Sequence, residues 1–172
     1  ESSRGSIEWY ADGRVQGSFT TEEGMPENEK AALRVARRLF ADWRLQTDDA
    51  RTAADGMTVT LSGTVAGLPV FNRTISVRFD AENHVALSGL WSFGIPYTTV
   101  SGSGVSCNAA DALLEFISRR SAAETVLSME VGYRMQLDSS RRLQLTPTWK
   151  IVTDSGEYLV DCDKKTIIDQ EN

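Results

Sequence analysis

Histidine occurs once and cysteine twice in the 172 residues. The side chains that most often serve as general bases, nucleophilic thiols and transition-metal ligands are therefore nearly missing. The single histidine, His84, falls in a polar turn after Asp80, far along the chain from Cys107 and Cys162, which argues against a Cys-His nucleophile. Positive charge is in deficit as well: 18 Lys and Arg stand against 24 Asp and Glu, a formal balance of −6. Such a chain repels a phosphate backbone on average, so no nucleic-acid partner is expected. Apolar runs stay far below the roughly 20 residues that a membrane-spanning helix needs. Gly102-Ser103-Gly104-Val105-Ser106 lacks both the lysine of a phosphate loop and the Gly-x-Ser-x-Gly spacing of a nucleophile elbow. The acidic run Asp154, Glu157, Asp161, Asp163 and Asp169 fits no calcium loop and reads as a solvated face. Glu22-Glu23 and Asp48-Asp49 go to solvent too. No catalytic residue, cofactor or metal ion is expected, and the chain is expected not to be an enzyme.

What remains is an ordinary globular composition: 41% hydrophobic and 24% charged, at a length that can bury a real core. Ile7, Trp9, Val15 and Phe19 flank Ala11-Asp12-Gly13, whose Asp-Gly pair suits a tight hairpin turn. Beyond a polar stretch with Gly24 and Pro26, Ala32, Leu33, Val35, Ala36, Leu39, Phe40 and Trp43 recur at three-and-four spacing, which predicts a helix over about 27–48. The pattern then switches to a period of two. Met57, Val59, Leu61 and Val65 share one side and Thr58, Thr60, Ser62 and Thr64 the other, and the alternation continues through Phe71, Ile75, Val77 and Phe79 and then Val85, Leu87, Trp91 and Phe93.

A Gly-, Ser- and Thr-rich connector leads to Asn108, a suitable N-cap, and to a second helical stripe of Ala109, Ala112, Leu113, Phe116 and Ile117, ending near residue 120. Alternation returns with Leu127, Met129, Val131, Tyr133, Met135 and Leu137 inward, then Leu143, Leu145, Trp149 and Ile151, then Tyr158, Val160 and Cys162. The order of elements has repeated. The expected fold is α+β: two consecutive helix-plus-three-antiparallel-strand units behind a short N-terminal hairpin, each helix stripe covering one apolar sheet face. The expected boundaries are 1–26 for the hairpin and linker, 27–94 for the first unit, 95–106 for a linker and 107–172 for the second unit.

The last third carries the most distinctive wording: Val131-Gly132-Tyr133 closing a strand, Leu145-Thr146-Pro147-Thr148-Trp149-Lys150-Ile151 in the next, and Tyr158-Leu159-Val160-Asp161-Cys162 after that. With the helix that includes Ala109 to Leu114, residues 107–168 resemble the YycI/YycH family of extracytoplasmic regulatory proteins and, more loosely, PepSY-like domains. Asp161-Cys162 stands where the family usually has Asn-Ala. The resemblance implies a PepSY/YycI-like fold and a membrane-tethered regulator without catalysis. Its outer domain would contact the extracytoplasmic part of a sensor histidine kinase, or a related regulator, that controls cell-wall metabolism. PepSY-like relatives imply the alternative of a binding module for a peptide, a cell-wall fragment or a protease. Glu1 to Ser6 form a polar lead-in without an initiator Met, as expected where a signal or membrane tether has been removed. The expected location is extracytoplasmic, at the cell surface or anchored to the membrane.

Three residue groups stand out as candidate sites. Cys107 precedes the second helix and Cys162 ends a strand, and counting chain reversals puts both at one end of the unit. A disulfide is within reach, two separate, partly buried thiols being the alternative. Arg34, Arg37, Arg38 and Arg44 share the outer side of the first helix and offer a surface for an acidic partner or a membrane, against the plainer reading of a solvated exterior. Trp91, Tyr97 and Tyr133 would line a ligand groove between the two units. Asn72-Arg73-Thr74 matches a glycosylation acceptor, which the bacterial resemblance makes a coincidence.

Overall fold

In the computed structural model, which describes residues 5–21, 24–45, 50–80, 83–91, 107–119, 125–137 and 143–168, strands take 58% and helices 20% of the described residues. The chain splits into two units, residues 1–94 and 95–172. The first contains β1 (Gly5–Trp9), β2 (Arg14–Thr20), α1 (Glu29–Asp42), β3 (Ala50–Asp55), β4 (Thr58–Val65), β5 (Leu68–Phe79) and β6 (His84–Leu90). Its strands pair antiparallel in the order β1-β2-β6-β5-β4-β3.

Turn chemistry sets this order. Asp12 Oδ1 accepts the Arg14 N–H at 3.0 Å and Gly13 takes φ 89°, closing the β1–β2 hairpin. Ala66 and Gly67 both have positive φ, 51° and 78°, as a two-residue type I′ turn between β4 and β5 requires. Register then aligns the apolar alternation into rows: Val59, Val77 and Leu87 are direct neighbours, as are Leu61 and Ile75. All five are buried. Over these rows α1 lays Ala32, Ala36 and Phe40, one turn apart and fully buried, and it packs on β3 and β4. Two alanines in that stripe let the helix backbone approach the sheet closely, and burying Phe40 contributes roughly 2–3 kcal/mol.

Both ends of α1 are capped. Asn28 Oδ1 accepts the Ala31 N–H at 3.0 Å. At the far end Leu45 N–H donates to Phe40 O at 3.0 Å and Arg44 N–H to Ala41 O at 2.9 Å, while Arg44 sits at φ 54°. This is a Schellman closure with arginine where glycine is usual, and Leu45 supplies its buried apolar contact.

The second unit contains α2 (Ala109–Arg119), β7 (Val126–Leu137), β8 (Leu143–Thr153), β9 (Glu157–Asp161) and β10 (Thr166–Ile168). Its strands form an antiparallel meander in chain order. Asn108 Oδ1 accepts the Asp111 N–H at 2.9 Å while Asp111 reaches back to the Asn108 N–H at 3.4 Å, a reciprocal cap on α2. The core joins Cys107, Ala112, Phe116, Ile151, Val160 and Cys162. Pro147 lies inside β8, between Thr146 and Thr148, both paired with β7. Its carbonyl accepts the Cys162 N–H at 2.9 Å, so its ring nitrogen faces the same β9 side, where the β8–β9 register has just ended at Thr148 and Asp161. The missing donor costs no ladder bond there. Asp161 Oδ1 accepts the N–H groups of Asp163 and Lys164, both at 2.9 Å, and so shapes the turn into β10. An asparagine, usual in the family this segment resembles, has the oxygen to do the same.

The expected architecture of two helix-plus-three-strand units is corrected by these elements. Among the described residues the chain is mainly strand, and its two units are not copies of one plan: six strands with a helix between the second and third, against a helix and four strands in simple sequence. The N-terminal hairpin is no appendage, because β2 pairs along its whole length with β6. The predicted first helix ends at Asp42 rather than near residue 48, and β3 lies where the sequence looked like a helix exit. Its composition, Ala-Arg-Thr-Ala-Ala-Asp, has little intrinsic strand preference, and pairing with β4 holds it. β10 is three residues long and was hidden by its brevity.

Two substitutions test the backbone reading. Gly89 has φ 156°, and a Cβ there would drive into the carbonyl oxygen of Thr74 on β5. Gly89→Ala is expected to destabilise by about 2–4 kcal/mol in urea unfolding. Arg44→Gly relieves the left-handed strain at the α1 terminus and is expected to stabilise by about 1 kcal/mol in the same assay.

Candidate interaction surface

The residues singled out by sequence fall in contrasting places. Arg34, Arg37, Arg38 and Arg44 are all exposed along and just beyond α1. Trp91 is only 1% exposed, and the Arg73 guanidinium lies over its ring at 4.5 Å. Its indole is thus a core side chain with a face already taken. Tyr133 is half-buried on β7, cross-strand from Pro147, and Tyr97 lies outside the described residues.

Cys107 and Cys162 are both buried free thiols. The Trp149 indole N–H donates to the Cys107 carbonyl at 3.0 Å, fixing the start of α2 over β8. Two residues back along β8, Pro147 holds the backbone of Cys162. The two thiols are hydrogen-bonded to each other, and burial, reinforced by Cys107 and the carboxylates of Asp161 and Asp163, pushes the Cys162 thiol well above its ordinary range.

The polar face of the first sheet carries one arrangement with a catalytic outline. Ser18 Oγ lies 2.5 Å from His84 Nε2, and His84 Nδ1 lies 3.8 Å from Asp80 Oδ2. The chemistry stops there for three reasons. The Asp80 carboxylate has a closer partner in Arg78 Nη2 at 3.1 Å. Ser18 sits mid-strand with both neighbours paired, so the N–H groups nearest to it serve the ladder rather than an oxyanion. The three side chains are also open to solvent. Among the described residues no cluster of His, Cys, Asp and Glu could hold a metal ion.

At the hairpin tip, Tyr10 OH donates to Glu8 Oε2 at 2.7 Å and Gln16 Nε2 donates to the same oxygen at 3.3 Å. These bonds lower the Glu8 pKa, and the first of them raises that of Tyr10. Backbone and side-chain bonds from Arg14 lower that of Asp12. Away from the tip, toward the open end of the hairpin, a recess of about 260 Å³ lies between Gly5, Ile7 and Phe19 and Leu39, Asp42 and Trp43 at the end of α1.

The feature that sequence reading missed is apolar. On α2, Leu114 is 66% and Ile117 57% exposed, and with exposed Ala110 they form a stripe at four-and-three spacing outside the buried pair Ala112 and Phe116. Leu127 is 63% exposed. It occupies the register shift between Val126 and Ser128, where β7 has one residue more than β8. Such a bulge turns a side chain out of the alternation, which corrects the expectation that Leu127 points inward. Ile117 is likewise corrected from the buried stripe to the outer one. The spacing of Ala110, Leu114 and Ile117 was readable in the sequence, but α2 carries two apolar stripes beside a polar side of Asp111, Glu115 and Arg119, so periodicity alone could not say which stripe faced the sheet. By contrast, α1 shows solvent the arginine-rich exterior that its sequence announced.

No family model and no curated protein matches the sequence. Among solved structures the chain is similar to the Bacillus megaterium YpeB C-terminal domain, with a TM-score of 0.47 and 8% identity across 98% of this chain and 90% of that one. That protein is neither a YycI nor a YycH.

Proposed function

We propose that the chain is a non-catalytic interaction module that binds a protein partner through the outer stripe of α2. The observation that carries this reading is the exposure of Leu114 and Ile117 one turn apart on a helix whose opposite stripe already serves the core. Soluble domains rarely leave large apolar side chains clustered in water without use. Covering these two would contribute roughly 1.5–3 kcal/mol each, before the entropic cost of association. The stripe is flanked on one side by Asp111 and Ser118, an apolar centre with a polar edge, which suits a partner with an apolar ridge or groove of its own.

The finer reading of the partner rests on sequence wording. Residues 107–168, which include α2, are the segment that resembles the YycI/YycH proteins, and on that resemblance the partner is the extracytoplasmic part of a membrane sensor histidine kinase. The same resemblance supports an extracytoplasmic, membrane-tethered location. A second reading, a PepSY-like module for a peptide or wall fragment, draws on the recess beside Trp43, where apolar walls and the Asp42 carboxylate suit a short segment with a basic group.

Calorimetric titration with a purified sensor-kinase ectodomain from the same cell separates these readings. Leu114→Glu/Ile117→Glu is expected to weaken binding at least about tenfold, about 1.4 kcal/mol, with the melting temperature unchanged. Arg34→Glu/Arg37→Glu/Arg38→Glu is expected to leave it intact. Loss with the arginine variant alone would move the contact to α1. No binding by the parent protein, together with stabilisation by peptides that Asp42→Asn abolishes, would favour the recess.

A further inference from the structure

We propose that Cys107 and Cys162 form a dithiol–disulfide couple that staples the start of α2 to the end of β9. The inference stands on placement and is independent of the function proposed above. Both residues belong to the second core and are at most 1% exposed. Each is held over β8 by its own backbone bond: the Cys107 carbonyl by the indole of Trp149, and the Cys162 N–H by the carbonyl of Pro147. These anchors are two residues apart on one strand, and alternate residues of a strand point to the same face. Cys107 Sγ donates to the Asn108 carbonyl at 3.7 Å, and the Cys107 side chain is close enough to Cys162 to hydrogen-bond it. Both side chains sit in the same packed core, the placement that a disulfide between them requires.

The oxidant is a low-molecular-weight disulfide or an oxidised thiol–disulfide oxidoreductase. The Cys107 thiolate attacks one sulfur of that donor, forming a mixed disulfide and releasing the first donor thiol. The Cys162 sulfur then attacks Cys107, forming the intramolecular bond and releasing the second donor thiol. The donor disulfide is reduced by two electrons, the two cysteines are oxidised by two, and their protons leave on the donor thiols. Since both sulfurs are buried, the first attack waits for α2 to lift at its N-terminus. The couple therefore reports local opening of the second unit as well as the redox state of its surroundings.

Three readings test this. The whole chain is equilibrated with a glutathione redox buffer, quenched with an alkylating agent and weighed intact. A species lighter by two hydrogens, without alkylation, and a single peptide linking residues 107 and 162 are the expected result. The oxidised chain should melt higher by on the order of 10 °C, because the bridge closes a long loop. Cys107→Ser and Cys162→Ser should each lose that rise, and the parent protein reports even if either variant folds poorly. Full alkylation of both thiols under oxidising buffer, dimers linked between chains, or a bridged species that melts no higher than the dithiol would overturn the proposal.

Discussion

Everything in the first unit depends on one helix covering one face of a sheet wider than itself. Six strands spaced about 4.8 Å apart span more than twice the roughly 10 Å width of a helix. Because α1 stands over β3 and β4, the β1–β2 side of the same apolar face needs another cover. Trp43, the last residue of the helix turn, supplies part of it. Its ring meets Phe19 of β2 edge-on at 5.8 Å and Phe40 of α1 at 6.1 Å. Met25 and the buried Pro26, on the approach to α1, close more of the gap. The recess beside Trp43 is what this patchwork leaves open, so its position follows from the mismatch between sheet and helix.

In the second unit the same constraint is met with less material. Its helix packs on β9 and β10, where Phe116 lies against Tyr158 at 5.1 Å between ring centres. The indole of Trp149 extends the contact to the chain just before the helix. A short helix on a narrow sheet leaves much of its circumference in water. Here that circumference includes Leu114 and Ile117, the stripe on which the proposed interaction rests, while α1 shows arginines. On the polar face of the first sheet the Ser18, His84 and Asp80 side chains stay a surface network.

Periodicity in the sequence revealed what periodicity encodes. The stripe Ala32-Ala36-Phe40, the alternation of Val59 and Leu61 in β4, of Ile75, Val77 and Phe79 in β5 and of Val85 and Leu87 in β6, the Asp12-Gly13 turn and the Asn108 cap were legible in the sequence, whereas in β8 Thr146 and Thr148, opposite the expected inward side, are buried. What escaped has specific physical causes. β3 is built mainly from alanines and charges, so its own alternation is faint, and it exists through its hairpin pairing with β4 across Gly56 and Met57. The hairpin's membership of the main sheet is a long-range fact, settled by the β2–β6 register. Leu127 fits the alternation perfectly in sequence and is expelled by a bulge that only the β8 partner defines. The apparent duplication arose because helix-then-alternation is a local pattern shared by two different topologies. Of the candidate sites, the cysteines' shared location was deducible from counting reversals, whereas the outer stripe of α2 was masked by the second apolar stripe that packs on the sheet.

Native-state hydrogen exchange puts the helix-on-sheet constraint to the most direct test. If covering the sheet is what holds the first unit together, the amides of Ala36 and Phe40 in α1 and of Val77 and Leu87 in the central strands should exchange through one shared opening. Their opening free energies should then match one another and converge on that of unfolding. Amides of α1 exchanging orders of magnitude faster than those of β5 and β6, with the strands still protected, would show a sheet that stands without its helix and would contradict this account.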